Sequence, residues 1–256
     1  MDDGSQLRPE DTAAGSPKRK IVVFHAHPDD ETLSTGALLA FWTGLGHEVT
    51  VITATRGERG EAYPGICDDR TLLPQLRAGE LSQALAVLGV GTHCFLGTPP
   101  ARVPGLPPVN YLDSGMRWVT ATLAGSVADA GELALSNQHP SVPAADLAAY
   151  CRIWGAEILI SYDAIGGYGH PDHVACHQIG VETAAMVPAL AFFTICSAGI
   201  VADAKTHHFE LRSELATVRE ALQCYSSQLR LDADEIVHVG GQRQPIATTI
   251  RLRATD

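Results

Sequence analysis

Residues 20–42 read KIVVFHAHPDDETLSTGALLAFW, and the order of chemistry along them decides the fold. Ile21, Val22, Val23 and Phe24 form an apolar run without alternation, the pattern of a parallel strand covered on both faces. Pro28, Asp29, Asp30 and Glu31 then suit a helix start. A proline there needs no amide partner, and carboxylates favour the positive end of the helix dipole. From Thr32 the spacing is helical, with Leu33, Leu38 and Phe41 among the apolar positions. Strand, turn and helix thus follow within 23 residues.

The same grammar returns in ILISYDAIGGYGHPDH, residues 158–173, where a strand-like run passes through glycines into a second His-Pro-Asp turn. Further strands are expected at 48–55, 92–97, 189–197 and 247–254. Helices are expected at 73–90, on a stripe of Leu76, Leu81, Leu85 and Leu88, and at 170–187 and 212–228. An Ala-rich helical region is expected over 113–155, broken near SNQHPSVP, behind a Pro-rich loop at 99–110. Strands alternating with helices predict an α/β fold: a Rossmann-like, doubly wound, mostly parallel sheet in a single domain over 19–256. Residues 1–18 are polar, carry Pro, Gly and Ser without periodicity, and read as a disordered lead-in. A strand order of 3-2-1-4-5 makes the first and fourth strands neighbours at the switch point, so both His-Pro-Asp turns open into one crevice.

Composition narrows the function classes. A formal net charge of −11, with 18 Lys and Arg against 29 Asp and Glu, argues against a nucleic-acid surface. The one tight basic cluster, Lys18-Arg19-Lys20, adjoins the first strand. Six scattered cysteines without a CxxC pair read as buried thiols of a reduced compartment. The first twenty residues lack the apolar centre of a signal peptide, and no segment approaches the roughly 20 apolar residues of a membrane span. A cytoplasmic protein with a small-molecule partner, and neither nucleic acid nor membrane, is the expectation. No GxSxG, P-loop or post-strand GxGxxG occurs, which argues against acyl-enzyme, nucleotide and dinucleotide chemistry.

A helix start accounts for the prolines and acids of the two turns but not for His27, His170 and His173. A protonated imidazole in a first helical turn faces the unfavourable end of the dipole, so a neutral, metal-binding ring is the easier reading. Two histidines with a carboxylate hold Zn²⁺ for hydrolysis or Fe²⁺ for oxygen chemistry. His27-Pro28-Asp29 with a distant His matches the H-x-D…H pattern of iron oxygenases, a pattern usual on antiparallel barrels. A spare carboxylate beside a ligand suits hydrolysis better, since it takes the proton of an activated water.

AHPDDE after the first strand and GGYGHPDH after a later one, together with RAGEL and YLDSGM, resemble the LmbE-like (PIG-L) family of zinc-dependent N-deacetylases. The motifs are most similar to the branch that deacetylates the mycothiol precursor or cleaves mycothiol S-conjugates. The resemblance implies removal of an N-acetyl group from a glucosamine-like sugar. It implies Zn²⁺ on His27, Asp30 and His173, with Asp29 as the base activating the metal-bound water. By the same carry-over His170, oriented by Asp172, serves as electrophile or acid, and Tyr168 helps at the oxyanion. Arg77, Asp113 and Glu58 match positions that hold substrate hydroxyls. After DSGM the chain departs from that branch with RWVTATLAGSVADAGEL, in a region expected to wall the substrate. A natural-product tailoring deacetylase is therefore a companion reading, and a non-catalytic sugar-binding protein or an iron oxygenase the different-class ones. His25 and His177 share faces with the ligand histidines but read first as structural, and Trp42, Trp118 and Trp154 as packing residues.

Overall fold

The computed structural model describes residues 17–255, so residues 1–16 of the expected lead-in lie outside the described residues. In chain order the elements are β1 (Lys20–His25), α1 (Asp30–Gly44), β2 (Glu48–Thr53), α2 (Leu73–Val87), β3 (Thr92–Phe95), β4 (Arg117–Trp118) and β5 (Ala124–Gly125). There follow α3 (Ser141–Trp154), β6 (Ile158–Tyr162), α4 (Pro171–Met186), β7 (Ala191–Ile195), β8 (Thr206–Glu210) and α5 (Leu215–Gln223). The chain ends with β9 (Leu229–Asp232), β10 (Glu235–His238), β11 (Arg243–Pro245) and β12 (Thr249–Ala254).

Seven strands form one sheet in the order β3-β2-β1-β6-β7-β12-β8. The first five run parallel, and β12 pairs antiparallel with both β7 and β8. Among the parallel strands β6 is the fourth and β7 the fifth in sequence, so the expected 3-2-1-4-5 order holds.

The apolar run of β1 shows why the sheet is covered twice. Ile21 and Val23 enter a core with Leu38, Leu39 and Trp42 of α1, Leu81 and Leu85 of α2, and Val218 and Leu222 of α5. Val22 and Phe24 point the other way, toward Leu147 and Tyr150 of α3 and Cys176 and Ile179 of α4. Successive side chains of a strand leave opposite faces, so a strand buried on both must be apolar throughout. Leu38 is fully buried in the first of these cores. Leu38→Ala is expected to lower unfolding free energy by about 2–5 kcal/mol, read from urea denaturation, because the packed site collapses only partly.

The expected helix over 113–155 is real only as α3; residues 113–134 form a loop carrying the β4–β5 hairpin. Gly115 and Gly131 adopt φ of 68° and 91° there, and Val119, Thr120 and Thr122 disfavour helix. The antiparallel β9–β10–β11 meander was not expected from the sequence. Its first turn places Ala233 at φ 53°, so no Gly or Asn announces it. All six cysteines are free, but only Cys94, Cys151 and Cys176 are buried, half of the set expected inside. Among the described residues no helix is long and apolar enough to cross a membrane.

Candidate metal centre

The parallel pairing of β1 with β6 sets the two His-Pro-Asp turns side by side beyond the strands' carboxyl ends. Asp29 caps α1 with φ 114° and ψ −33°, a conformation rare outside glycine. Its N–H donates to Glu31 Oε2 at 3.1 Å, and its carbonyl accepts from Leu33 N–H at 2.9 Å. Glu31 is fully buried and accepts short hydrogen bonds from the Tyr225 and Thr32 hydroxyls. The turn is therefore held from beneath by a carboxylate that the sequence reading assigned only to helix initiation. In the second turn Pro171 opens α4, and His170 caps it by accepting the Asp172 N–H on Nδ1 at 3.1 Å.

These two caps bring their side chains together. One oxygen of Asp30, Oδ2, lies 3.1 Å from His27 Nδ1 and 3.2 Å from His173 Nε2, and accepts the His27 N–H at 2.9 Å. The His27 and His170 rings are 4.6 Å apart, and His170 and His173 5.0 Å. His27, His170 and His173 each offer a ring nitrogen within 4.8 Å of the others, and so do His27, Asp113, His170 and Asp172 with their carboxylate oxygens. The expected ligand set thus has Asp30 where the first of these groups has His170.

Supporting contacts fix the rings. His173 Nδ1 faces Gly166 O at 3.2 Å, and its ring stacks on Tyr162 at 4.1 Å and 12°. Asp172, fully buried, accepts the Ser114 N–H at 2.9 Å and the Ser114 hydroxyl, and its Oδ2 lies 3.1 Å from His27 Nε2. Its carboxylate therefore engages His27; His170 meets only its backbone N–H, a correction to the expected orientation of His170. Ser114 and Tyr162, both absent from the expected site, supply this framing.

Arg77 is buried beneath the first turn, donating to Pro28 O at 2.7 Å and Gly57 O at 3.1 Å, with Nη2 at 3.4 Å from Asp29 Oδ2. Its two terminal nitrogens thus engage the turn and Asp29, while Nε has no hydrogen-bond partner. Asp113 accepts from the Arg59 and Gly115 N–H groups, and its own N–H donates to Glu58 Oε2 at 3.0 Å. Tyr168 stands at the mouth, its ring centroid 5.2 Å from His173 and 6.1 Å from His170. His25 is fully buried between the Tyr162 hydroxyl and Thr35 Oγ1, and burial takes it down to about 4, so it is a neutral structural ring. His177 faces Tyr162 O at 3.0 Å.

Electrostatics separate the groups. Burial pushes Asp29 up to about 7, with Arg77 opposing and Asp30 assisting. Burial works in the same direction on Asp30, but His173 and His27 override it and hold its carboxyl well below the ordinary range. Burial, then His27 and His173, drives His170 well below its usual value. A neutral ring that accepts on Nδ1 carries its proton on Nε2. Burial lowers His27 too, but Asp113, Asp172 and Asp30 outweigh it and raise the imidazole well above 6.5.

The donors fit a transition-metal ion. His173 Nε2 is buried and forms no well-directed hydrogen bond, facing only the Asp30 carboxylate at 3.2 Å, an arrangement that suits a metal shared by the two. Ligand atoms about 2.0–2.1 Å from zinc stand about 3.3 Å apart at a tetrahedral angle, close to the two separations around Asp30 Oδ2. Without metal the raised His27 holds a proton at neutral pH, and a ligand must shed it. Zinc affinity, measured by competition with a chromophoric chelator, is therefore expected to fall as pH drops from 8 to 6, with proton release on binding.

The chain matches the family described as PIG-L, GlcNAc-PI de-N-acetylase, over residues 22–184. It is 36% identical over 207 residues to a 1D-myo-inositol 2-acetamido-2-deoxy-alpha-D-glucopyranoside deacetylase of Kineococcus radiotolerans, covering 80% of this chain and 55% of that protein. The chain thus spans little more than half of that relative's length. Among solved structures it resembles the N,N'-diacetylchitobiose deacetylase of Pyrococcus horikoshii, with TM-score 0.56 and 17% identity over 81% of this chain and 71% of that one. It also resembles the 4-carboxy-2-hydroxymuconate hydratase of Pseudomonas putida, with TM-score 0.58 and 15% identity over 93% and 96%. A deacetylase and a hydratase share this architecture, so the fold by itself selects no reaction. Identity to the curated relative and the family match over more than half of the chain go further: this chain belongs to the PIG-L family.

Proposed function

We propose that the protein is a metal-dependent N-deacetylase that removes the acetyl group from an N-acetylglucosaminyl compound. One observation carries this reading: His27 and His173 converge on a single oxygen of Asp30 while a separate, partly buried carboxylate, Asp29, sits beside them. The curated relative's substrate supports the aminosugar class.

In this proposal His27, Asp30 and His173 hold the ion, zinc in first place and Fe²⁺ as the other candidate. The ion supplies Lewis acidity, polarising the amide carbonyl and making water a competent nucleophile at neutral pH. Asp29 takes the water's proton as its oxygen adds to the carbonyl carbon. A base with a pKa near the working pH serves both directions of transfer, so Asp29 then returns the proton to the departing amine as the C–N bond breaks. His170 donates its Nε2–H to the developing oxyanion, and the Tyr168 hydroxyl is the second donor. The low pKa of His170 favours that electrophilic role over the acid role. Asp172 steadies His27, Arg77 steadies Asp29, and Asp113 with Glu58 forms the polar wall for sugar hydroxyls.

The test is zinc-loaded protein with N-acetylglucosaminyl-inositol, following acetate and free amine together. Equal amounts of both are expected. Oxygen uptake with an Fe²⁺-loaded sample and no acetate from either form would move the site to oxygenase chemistry.

A further inference from the structure

The hairpin of β4 and β5 follows the DSGM stretch, and it ends in exposed carbon. Trp118 is 41% exposed, Val119 52% and Leu123 44%, in a chain whose large apolar side chains are otherwise mostly covered. Trp118 was expected to be a packing residue; instead its ring stacks on Tyr168 at 5.7 Å and 30°. Tyr168 in turn stands beside His173 and His170, so an unbroken run of rings leads from the metal centre to Trp118.

The hairpin is fastened in this place. The Ala124 N–H donates to Tyr168 O at 2.8 Å, and a Cβ on Gly169 would stand 2.8 Å from Leu123 Cδ1. Arg59 Nη2 donates to Asp129 O at 2.8 Å, and Arg117 Nε to Ser126 O at 3.0 Å, tying down the rest of the loop.

The chemistry of the tip is one-sided. Residues 118–124, WVTATLA, carry no charge, and neither do residues 164–169, AIGGYG. The Thr120 hydroxyl already accepts the N–H groups of Thr122 and Leu123 at 3.3 and 3.1 Å. Arg117 beside the tip is turned to Ser126 O and Arg59 to Asp129 O, so a phosphate or polyol at the tip itself would meet few polar partners, whereas an apolar group would cover exposed carbon. Because the rings run from His173 and His170 through Tyr168 to Trp118, the occupant of this wall is the outer part of a molecule already seated at the metal centre.

We infer that Trp118, Val119 and Leu123 with Tyr168 form an aglycone subsite, and that the substrate is an N-acetylglucosaminide bearing an alkyl or aryl group. This rests on the proposed deacetylase reading and names the substrate class within it. It sets the protein apart from the relative whose substrate carries inositol.

The experiment compares acetate release from hexyl 2-acetamido-2-deoxy-α-D-glucopyranoside and from N-acetylglucosaminyl-inositol by wild type, Trp118→Ala and Trp118→Phe. Wild type is expected to prefer the hexyl glycoside in kcat/KM. Trp118→Ala should lower that value about tenfold, through KM, with little change for the inositol compound, and Trp118→Phe should keep most of it. Equal kcat/KM for the two substrates, or an equal loss on both in Trp118→Ala, overturns the subsite. If neither substrate releases acetate, the deacetylase reading fails, and binding of hexyl 2-amino-2-deoxy-α-D-glucopyranoside decides the subsite. Trp118-dependent fluorescence change on titration sustains it, and no change overturns it.

Discussion

Asp29→Asn is expected to cut acetate release by about 100- to 10,000-fold while zinc stays bound at the wild-type level. The substitution removes the carboxylate that burial pushes up to about 7; Asp30, held ionised by two histidines, cannot exchange a proton there. Asparagine is the better probe than alanine because it keeps the shape of the side chain and because Asn, like Asp, occupies positive φ more readily than Ala, by hydrogen bonding locally. Arg77 keeps its bonds to Pro28 O and Gly57 O in the variant, so the turn persists. The loss should appear in kcat, since the proton transfer belongs to the transition state and not to binding. Loss of zinc together with activity would instead make Asp29 a ligand and sink its assignment as base.

The second large effect is on the metal. His173→Phe keeps an aromatic ring against Tyr162 but removes both nitrogens, including the Nε2 that has no hydrogen-bond partner. Zinc affinity is expected to fall by more than the roughly 10- to 100-fold that loss of a supporting group costs, and activity with it. Metal-free stability is expected to fall as well, because buried Asp30 loses one of the two histidines that hold it ionised and the Gly166 contact is lost. Thermal melts read this cleanly. Zinc should raise the Tm of wild type and leave that of His173→Phe unmoved, since a ligand stabilises only the state that binds it. A zinc-dependent rise of equal size in both proteins would place the ion elsewhere.

Both His-Pro-Asp turns were legible in the sequence because their parts are local. An apolar strand, a proline and first-turn acids specify a strand-to-helix turn within a few residues, and strand order then brings two such turns together. What stayed hidden depends on contacts distant in sequence. Ser114 reaches Asp172 across 58 positions; YLDSGM marks its neighbourhood, but only the folded chain shows that Ser114 is the partner of Asp172. Tyr162 reads as the last residue of an apolar strand, yet its ring packs His173 and its hydroxyl meets His25 and the Ala26 N–H. Arg77 was read as a substrate contact from its motif; only the folded chain turns its guanidinium onto Pro28 and Asp29. The same limit explains the β4–β5 hairpin. An Ala- and Thr-rich stretch has weak preferences of its own, and positive-φ glycines with tertiary contacts settle it.

The account stands or falls on one measurement: metal content and acetate release of the purified protein before chelation, after chelation, and after zinc is restored. About one metal ion per chain, acetate release abolished by chelation and recovered with zinc, is the result the proposed site requires. Acetate release that survives complete removal of metal would contradict it.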